Sequence, residues 1–343
     1  MAKSFYTHSA DAWKAMLEAI NHARESVYLE MYIFEDNTLG YDFVSALEMR
    51  AREGLRVVVI LDALGSYNLS TETRQHLIDA GVELMFYRFW LHRTHRKMLI
   101  VDESIAFVGG MNVSGRFDGW DDLVLRVRGK VIESIVRSFA RAYVLCGGLN
   151  SALTAYAHGR ALERTRMWFV EHGLGGVRYI LRRHYEEGID AATRTITLVT
   201  PYFVPAGWLV AALGRALKRG VAVEIILPLY TDFRPMNHLN KYYATMLTEI
   251  GAQLYFHTTM LHAKAMLVDE RIAVVGSHNL DALSFGRNVE AGVFFETPPL
   301  IHELVHILEQ WKKESILQKD IVLTTHWYDR IFLWLLRLAQ PVL

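Results

Sequence analysis

Apolar runs of strand length recur along the chain in two matching sets. The stretches 26–34 (SVYLEMYIF), 55–61 (LRVVVIL) and 82–87 (VELMFY) read as strands that are largely apolar on both faces. Their counterparts are 195–203 (TITLVTPYF), 221–227 (VAVEIIL) and 252–257 (AQLYFH). The stretches between them carry helical spacing, and the helix before each third strand ends at Gly81 or Gly251, where a left-handed cap is expected. Paired runs begin at 26 and 195, at 55 and 221, and at 82 and 252, so the interval hardly changes along the chain. So constant an interval means a duplicated unit, not a short-period solenoid. The expected fold is α/β: two similar mixed-sheet halves flanked by helices and related by a pseudo-twofold axis, with a shared site near that axis. The halves are placed at 1–165 and 166–320, followed by an apolar tail at 321–343.

The same duplication holds for residues that carry chemistry. HRKMLIVD starts at His95 and HAKAMLVD at His262, so both copies read H-x-K-x4-D at the interval of the strands. Residues two apart on a strand face one side, which would project His95 with Lys97, and His262 with Lys264, into a common space. Each motif runs on to a small-residue turn, Gly109-Gly110-Met111-Asn112 and Gly276-Ser277-His278-Asn279, suited to close approach by an anion. Two imidazoles can divide the labour of nucleophile and proton donor, while two lysines place positive charge on the oxygens of a phosphate under attack. Such a site needs no metal and no other cofactor. A nucleophilic histidine also needs its far nitrogen held by an acceptor. Asp122, downstream of His95, and Glu290, at a similar distance downstream of His262, begin strand-like runs and are the candidates. Asn112, Ser277 and Asn279 are expected on the phosphate. Asp102 and Asp269, which end the two motifs, are expected to close a turn or a salt bridge.

The double H-x-K-x4-D pattern resembles the phospholipase D superfamily and its paired HKD motifs. Over nearly its whole length the chain is similar to short bacterial cardiolipin synthases that lack N-terminal transmembrane helices. The most specific stretches are HRKMLIVDESIAFVGGMN, WDDLVLRVRG, TPYFVP and HAKAMLVDERIAVVGSHNLDALSFGRNVEAGV. The resemblance implies a phosphohistidine intermediate, one histidine from each half and no metal. It also implies phosphatidyl transfer between two phosphatidylglycerols with release of glycerol, at the cytoplasmic face of a bacterial inner membrane. Residue by residue, His95, Lys97 and Asn112 match the first motif, and His262, Lys264, Ser277 and Asn279 the second. His95 is then the expected nucleophile and His262 the acid and base. Val124 and Gly110 depart from the pattern, where a polar residue and a serine would be expected, and weaken the support of the first histidine.

Composition narrows the substrate. Lys plus Arg (37) balance Asp plus Glu (37), so no strong nucleic-acid footprint exists in bulk, although the basic stretches 88–97 and 178–183 keep a nuclease reading in view. Eight tryptophans and the tail 327–343 (WYDRIFLWLLRLAQPVL) suit a lipid surface, and that tail reads as a helix lying in the membrane interface or docked on the core. No apolar run reaches the length of a transmembrane helix, and 1–21 lacks the apolar centre of a signal peptide. The single cysteine, Cys146, excludes an intrachain disulfide and fits a reducing compartment. Phosphatidyl transfer at a peripheral membrane surface is therefore the leading reading. Lipid hydrolysis, nucleic-acid cleavage and a non-catalytic phosphate-binding scaffold follow in that order. The segment 167–185 reads as a helix packing one half on the other, and Ile301, Leu304, Val305 and Leu308 as the inner face of another helix.

Overall fold

The computed structural model describes residues 4–89, 92–159, 165–174 and 179–320. The tail that was expected to meet a membrane lies outside them. In the first half the elements are β1 (Phe5–His8), α1 (Ser9–Asn21), β2 (Ser26–Met31), α2 (Phe43–Arg52), β3 (Arg56–Asp62), α3 (Thr71–Asp79), β4 (Glu83–Tyr87), β5 (Lys97–Val101), β6 (Ile105–Gly109), β7 (Asp121–Arg128), α4 (Val131–Leu145) and α5 (Ser151–Ala157). The second half begins with β8 (Met167–His172), α6 (Ile180–Ala191), β9 (Thr195–Val199), β10 (Phe203–Val204), α7 (Gly207–Lys218), β11 (Ala222–Pro228) and α8 (Arg234–Glu249). It continues with β12 (Gln253–His257), β13 (Ala265–Val268), β14 (Ile272–Gly276), β15 (Leu280–Asp281), α9 (Ala282–Gly286), β16 (Glu290–Phe295), α10 (Pro298–Lys313) and β17 (Ser315–Leu317).

The two large sheets repeat one topology. The first runs β4-β3-β2-β5-β6-β7-β1 and the second β12-β11-β9-β13-β14-β16-β8, with β17 added beside β12. In both, the three strands at one end are parallel and every later pairing is antiparallel. The glycines that precede β4 and β12, Gly81 and Gly251, have φ of 95° and 104°, the left-handed cap their spacing implied.

Alternation along the strands sorts the core into three parts. Val57, Val59 and Leu61 face a cluster with α1–α3, and Leu198, Ile225 and Leu227 face one with α6–α8. Tyr28, Val58 and Ile60 from the first sheet and Val199, Ile226 and Leu267 from the second point inward, to a core shared with α4 and α10. Phe5 meets Phe295 across that core, ring centroids 6.0 Å apart, and Ile301, Leu304 and Leu308 of α10 are buried in it. The core also holds a buried ion pair. Arg96 donates to Glu30 at 2.9 and 2.5 Å and to Ser138 at 2.5 Å, and Thr94 donates to the same carboxylate. Both charged side chains are fully buried, and breaking such a pair from one side typically costs about 3–5 kcal/mol.

One expected helix is a strand. Residues 167–172 form β8, pairing with β16 from Glu290↔His172 to Phe295↔Met167, and only 180–191 is helical. The cause is the exposed edge of β16, which needs a partner for its backbone groups. Trp168 stacks on Phe294 at 5.4 Å, so this residue packs a sheet edge.

Candidate active site

Each histidine sits just before its strand, since β5 begins at Lys97 and β13 at Ala265. What holds it is the other half. The backbone N–H of His95 donates to the carbonyl of Val289 at 2.9 Å, and that of Val289 to Arg93 at 2.7 Å. Symmetrically, His262 N–H donates to Asp121 at 2.6 Å and Asp121 N–H to Met260 at 3.0 Å. Two short parallel bridges, Thr94↔Val289 and Asp121↔Leu261, thus pair the approach to each histidine with the approach to the opposite carboxylate.

The carboxylates therefore cross over. His95 Nδ1 lies 3.0 Å from Glu290 Oε1, and His262 Nδ1 lies 2.8 Å from Asp122 Oδ2. Along the chain each carboxylate follows the histidine of its own half; the bridges between halves set it behind the other. An ionised carboxylate only accepts, so each Nδ1 is the N–H donor and each Nε2 keeps its lone pair. Burial alone would push Glu290 up, but His95, Lys97 and the Ser277 hydroxyl hold it down at about 2.

The lysines stand over the histidines. Lys97 Nζ donates to the His95 carbonyl at 2.6 Å, and Lys264 Nζ to that of His262 at 2.5 Å, while also lying 2.8 Å from His262 Nε2. Burial lowers Lys97 well below an ordinary lysine, helped by the charge of Lys264, and burial lowers Lys264 to about 8. Burial and the Lys264 charge bring His262 down to about 4, and burial also lowers His95. Each histidine feels the other half's lysine as well as its own, so the two motifs share one electrostatic environment.

The remaining expected site residues divide. Asn112 accepts the Ile33 N–H on Oδ1 at 3.2 Å, leaving its NH₂ as a donor, and Asn279 Oδ1 is buried without a hydrogen-bond partner among the described residues. The Ser277 hydroxyl is engaged within the protein. It is fully buried and donates to Glu290, because β14 and β16 approach closely there, and a Cβ at Gly276 would lie 2.2 Å from the Ala291 carbonyl. Gly110, its counterpart, has its own reason: a Cβ at that position would lie 2.3 Å from Asp122 Oδ1. The first half leaves room for its carboxylate where the second half supplies a hydroxyl. Gly110→Ser is therefore expected to push Asp122 off His262 and lower kcat by about 10²-fold, a loss that steady-state kinetics on a phosphodiester would reveal.

Asp102 and Asp269 sit one strand length from the histidines. Asp102 accepts the N–H groups of Arg24, Glu25 and Ser26 at 2.8–3.0 Å, and Asp269 those of Thr193, Arg194 and Thr195 at 2.7–2.9 Å. They close the turn after β5 or β13 onto the start of β2 or β9, at φ of 50° and 53°. Burial opposes ionisation of Asp269, but those donors outweigh it and hold the carboxyl at about 2.

Aromatic walls were not anticipated. Tyr32 meets His95 edge-on at 4.8 Å with Lys97 Nζ 4.9 Å from its ring centre. Trp120 and Tyr202 lie 5.4 and 6.4 Å from the His262 ring. The signal was partly available for two of them, since a tyrosine stands near the end of each paired run, Tyr32 seventh in 26–34 and Tyr202 eighth in 195–203.

A family model described as "Cardiolipin synthase, PLD-like domain" matches residues 16–142 and 185–312. Cardiolipin synthase 2 of Bacillus anthracis is 29% identical over 329 residues, covering 90% of this chain and 64% of that protein. Cardiolipin synthase of Listeria monocytogenes serotype 4a is 30% identical over 367 residues, covering 97% and 73%. The chain thus spans just under two thirds of the Bacillus relative's length. Among solved structures, phosphatidylserine synthase from Haemophilus influenzae superposes with a TM-score of 0.77 at 16% identity, over 99% of this chain and 94% of that one, a likeness of fold. With the matched segments covering most of both halves, the chain belongs to the cardiolipin synthase group of phospholipase D-like proteins.

Proposed function

We propose that this protein transfers a phosphatidyl group from one phosphatidylglycerol to another, forming cardiolipin and glycerol through a covalent phosphohistidine at His95. The observation that carries the reading is the pair of oppositely supported histidines, His262 buried and His95 part-buried, with a lysine beside each. The names of the relatives supply the substrate class.

His95 is neutral in the free protein, with its Nε2 lone pair free to attack phosphorus. As the P–N bond forms, the bond from phosphorus to the glycerol oxygen breaks, and His262 gives that oxygen a proton. Free His262, at about 4, is also neutral. The phosphodiester brings a negative charge among the site's cations and raises His262 toward the range in which it holds a proton. In the second step the terminal hydroxyl of another phosphatidylglycerol loses its proton to His262 and attacks phosphorus. The P–N bond breaks and His95 is restored. Lys97, Lys264 and the NH₂ of Asn112 stand by the non-bridging oxygens, where charge builds. Trp120, Tyr32 and Tyr202 narrow the space for water, which would otherwise compete as acceptor and release phosphatidic acid.

Incubation with phosphatidylglycerol vesicles, read by mass spectrometry, tests this. Cardiolipin and glycerol should appear together and in equal amounts with or without EDTA; phosphatidic acid as the sole product would make the protein a hydrolase, and strict metal dependence would overturn the mechanism. The pH profile adds a second check. Lys264 carries its charge below about 8 and loses it above. Binding of the anionic diester weakens as that charge is lost, so kcat/KM should fall as pH rises through about 8. A profile that stays flat well above that range would remove Lys264 from the phosphate site.

A further inference from the structure

The site opens at the C-terminal ends of the parallel strands, since Met31 at the end of β2 pairs with Lys97 and Val199 at the end of β9 with Ala265. The loops leaving β3 and β11 at that end each expose two large apolar side chains. Leu64 and Tyr67 are 55% and 65% exposed in one half, and Tyr230 and Phe233 are 63% and 55% exposed in the other. Leu64 and Tyr230 are separated by the same interval as the starts of β3 and β11, and so are Tyr67 and Phe233. The same exposure has therefore been kept at equivalent places of two halves whose other loop residues differ.

Each pair stands one contact away from a histidine. A Cβ on Gly65 would run into the Tyr32 ring, whose edge meets His95, so the Leu64–Tyr67 loop lies directly on that tyrosine. In the other half Tyr202, beside His262, donates its hydroxyl to Asp232 at 2.5 Å, between Tyr230 and Phe233. Phe89 after β4, Leu39 after β2 and Leu283 on α9 extend the apolar exposure, and Arg88, Arg93 and Arg234 stand exposed in the same loops. The turns at the far end of the sheets are of another kind, with Arg24, Glu25, Asp102 and Glu103 in one half and Arg194, Asp269, Glu270 and Arg271 in the other.

Building on the phospholipid reading above, we propose that these loops are a two-pronged docking surface for an anionic bilayer. Leu64, Tyr67, Tyr230 and Phe233 enter the headgroup–acyl boundary, and the mouth of the site faces the lipid. Apolar side chains ringed by arginine match the two faces of such an interface, apolar below and anionic at the surface. The approximate twofold relation brings a prong down on each side of the mouth, so that the donor diester and then the acceptor hydroxyl can reach the site without leaving the lipid surface.

The test uses the full chain with Leu64→Ser, Tyr67→Ser, Tyr230→Ser and Phe233→Ser combined. Co-sedimentation with phosphatidylglycerol–phosphatidylcholine vesicles should weaken about tenfold or more, with turnover of soluble bis(p-nitrophenyl) phosphate within about twofold of the parent. Parent-like vesicle binding would overturn the proposal. So would a parent dimer that the substitutions dissociate, which would assign the surface to a second copy. Loss of binding without cardiolipin from either protein would leave the docking surface standing and sink the substrate reading. Should the combined variant fail to fold, Tyr67→Trp and Phe233→Trp are measured singly against brominated phospholipid. Tryptophan quenching beyond that of the parent is expected, and none at either position would overturn the proposal.

Discussion

His95→Ala should leave no measurable transfer from phosphatidylglycerol, a fall of about 10⁴-fold or more, because it removes the atom that bonds to phosphorus. His262→Ala should fall nearly as far, about 10³–10⁴-fold, because a glycerol alkoxide is a poor leaving group without a proton donor. The two losses should not multiply in the double variant, since the groups act as a unit on one reaction. Neither variant should unfold. His95 and His262 are held by backbone bonds to Val289 and Asp121 that alanine retains. A thermal melt close to that of the parent would show this, and the kinetic loss would then belong to chemistry. Retention of more than a tenth of the parent turnover in either variant would break the two-histidine site.

Much of this arrangement was legible in the chain. Repeated apolar runs with one interval defined two halves, and the observed sheets repeat strand for strand in the same order. The H-x-K spacing marked His95, Lys97, His262 and Lys264, and each histidine feels the charge of both lysines. What spacing along the chain does not contain is the partner across an interface. Asp122 follows His95 within the first half yet supports His262, because Asp121 bonds to the backbone of Met260 and His262. The contact of Ser277 was illegible for a related reason. A small polar residue in a glycine turn suits an anion, but here strand packing turns its hydroxyl onto Glu290. Edge strands were also hard to read. FYTH at 5–8 and MWFVEH at 167–172 carry mixed faces, and they become strands because β7 and β16 offer unpaired edges.

The crossed carboxylates should be separable by changing only the leaving group. Glu290→Gln acts on His95, which loses the acceptor that orients its ring and stabilises the cation formed on phosphorylation; kcat should fall about 10²–10⁴-fold whatever leaves phosphorus. Asp122→Asn acts on His262, so its effect depends on how much the leaving group needs a proton. With phosphatidylglycerol the loss should be about 10²–10⁴-fold. With a p-nitrophenyl ester, whose phenolate leaves unprotonated, the first step should remain within about tenfold of the parent, measurable as a burst of nitrophenol. The same variant should then hold label as phosphoenzyme, because His262 is also the base that activates the acceptor alcohol. Pairing within each half would invert this pattern, giving a normal burst in Glu290→Gln and none in Asp122→Asn. Under the crossed pairing the same inversion would instead make His262 the nucleophile, and finding the label on His95 or on His262 separates the two cases.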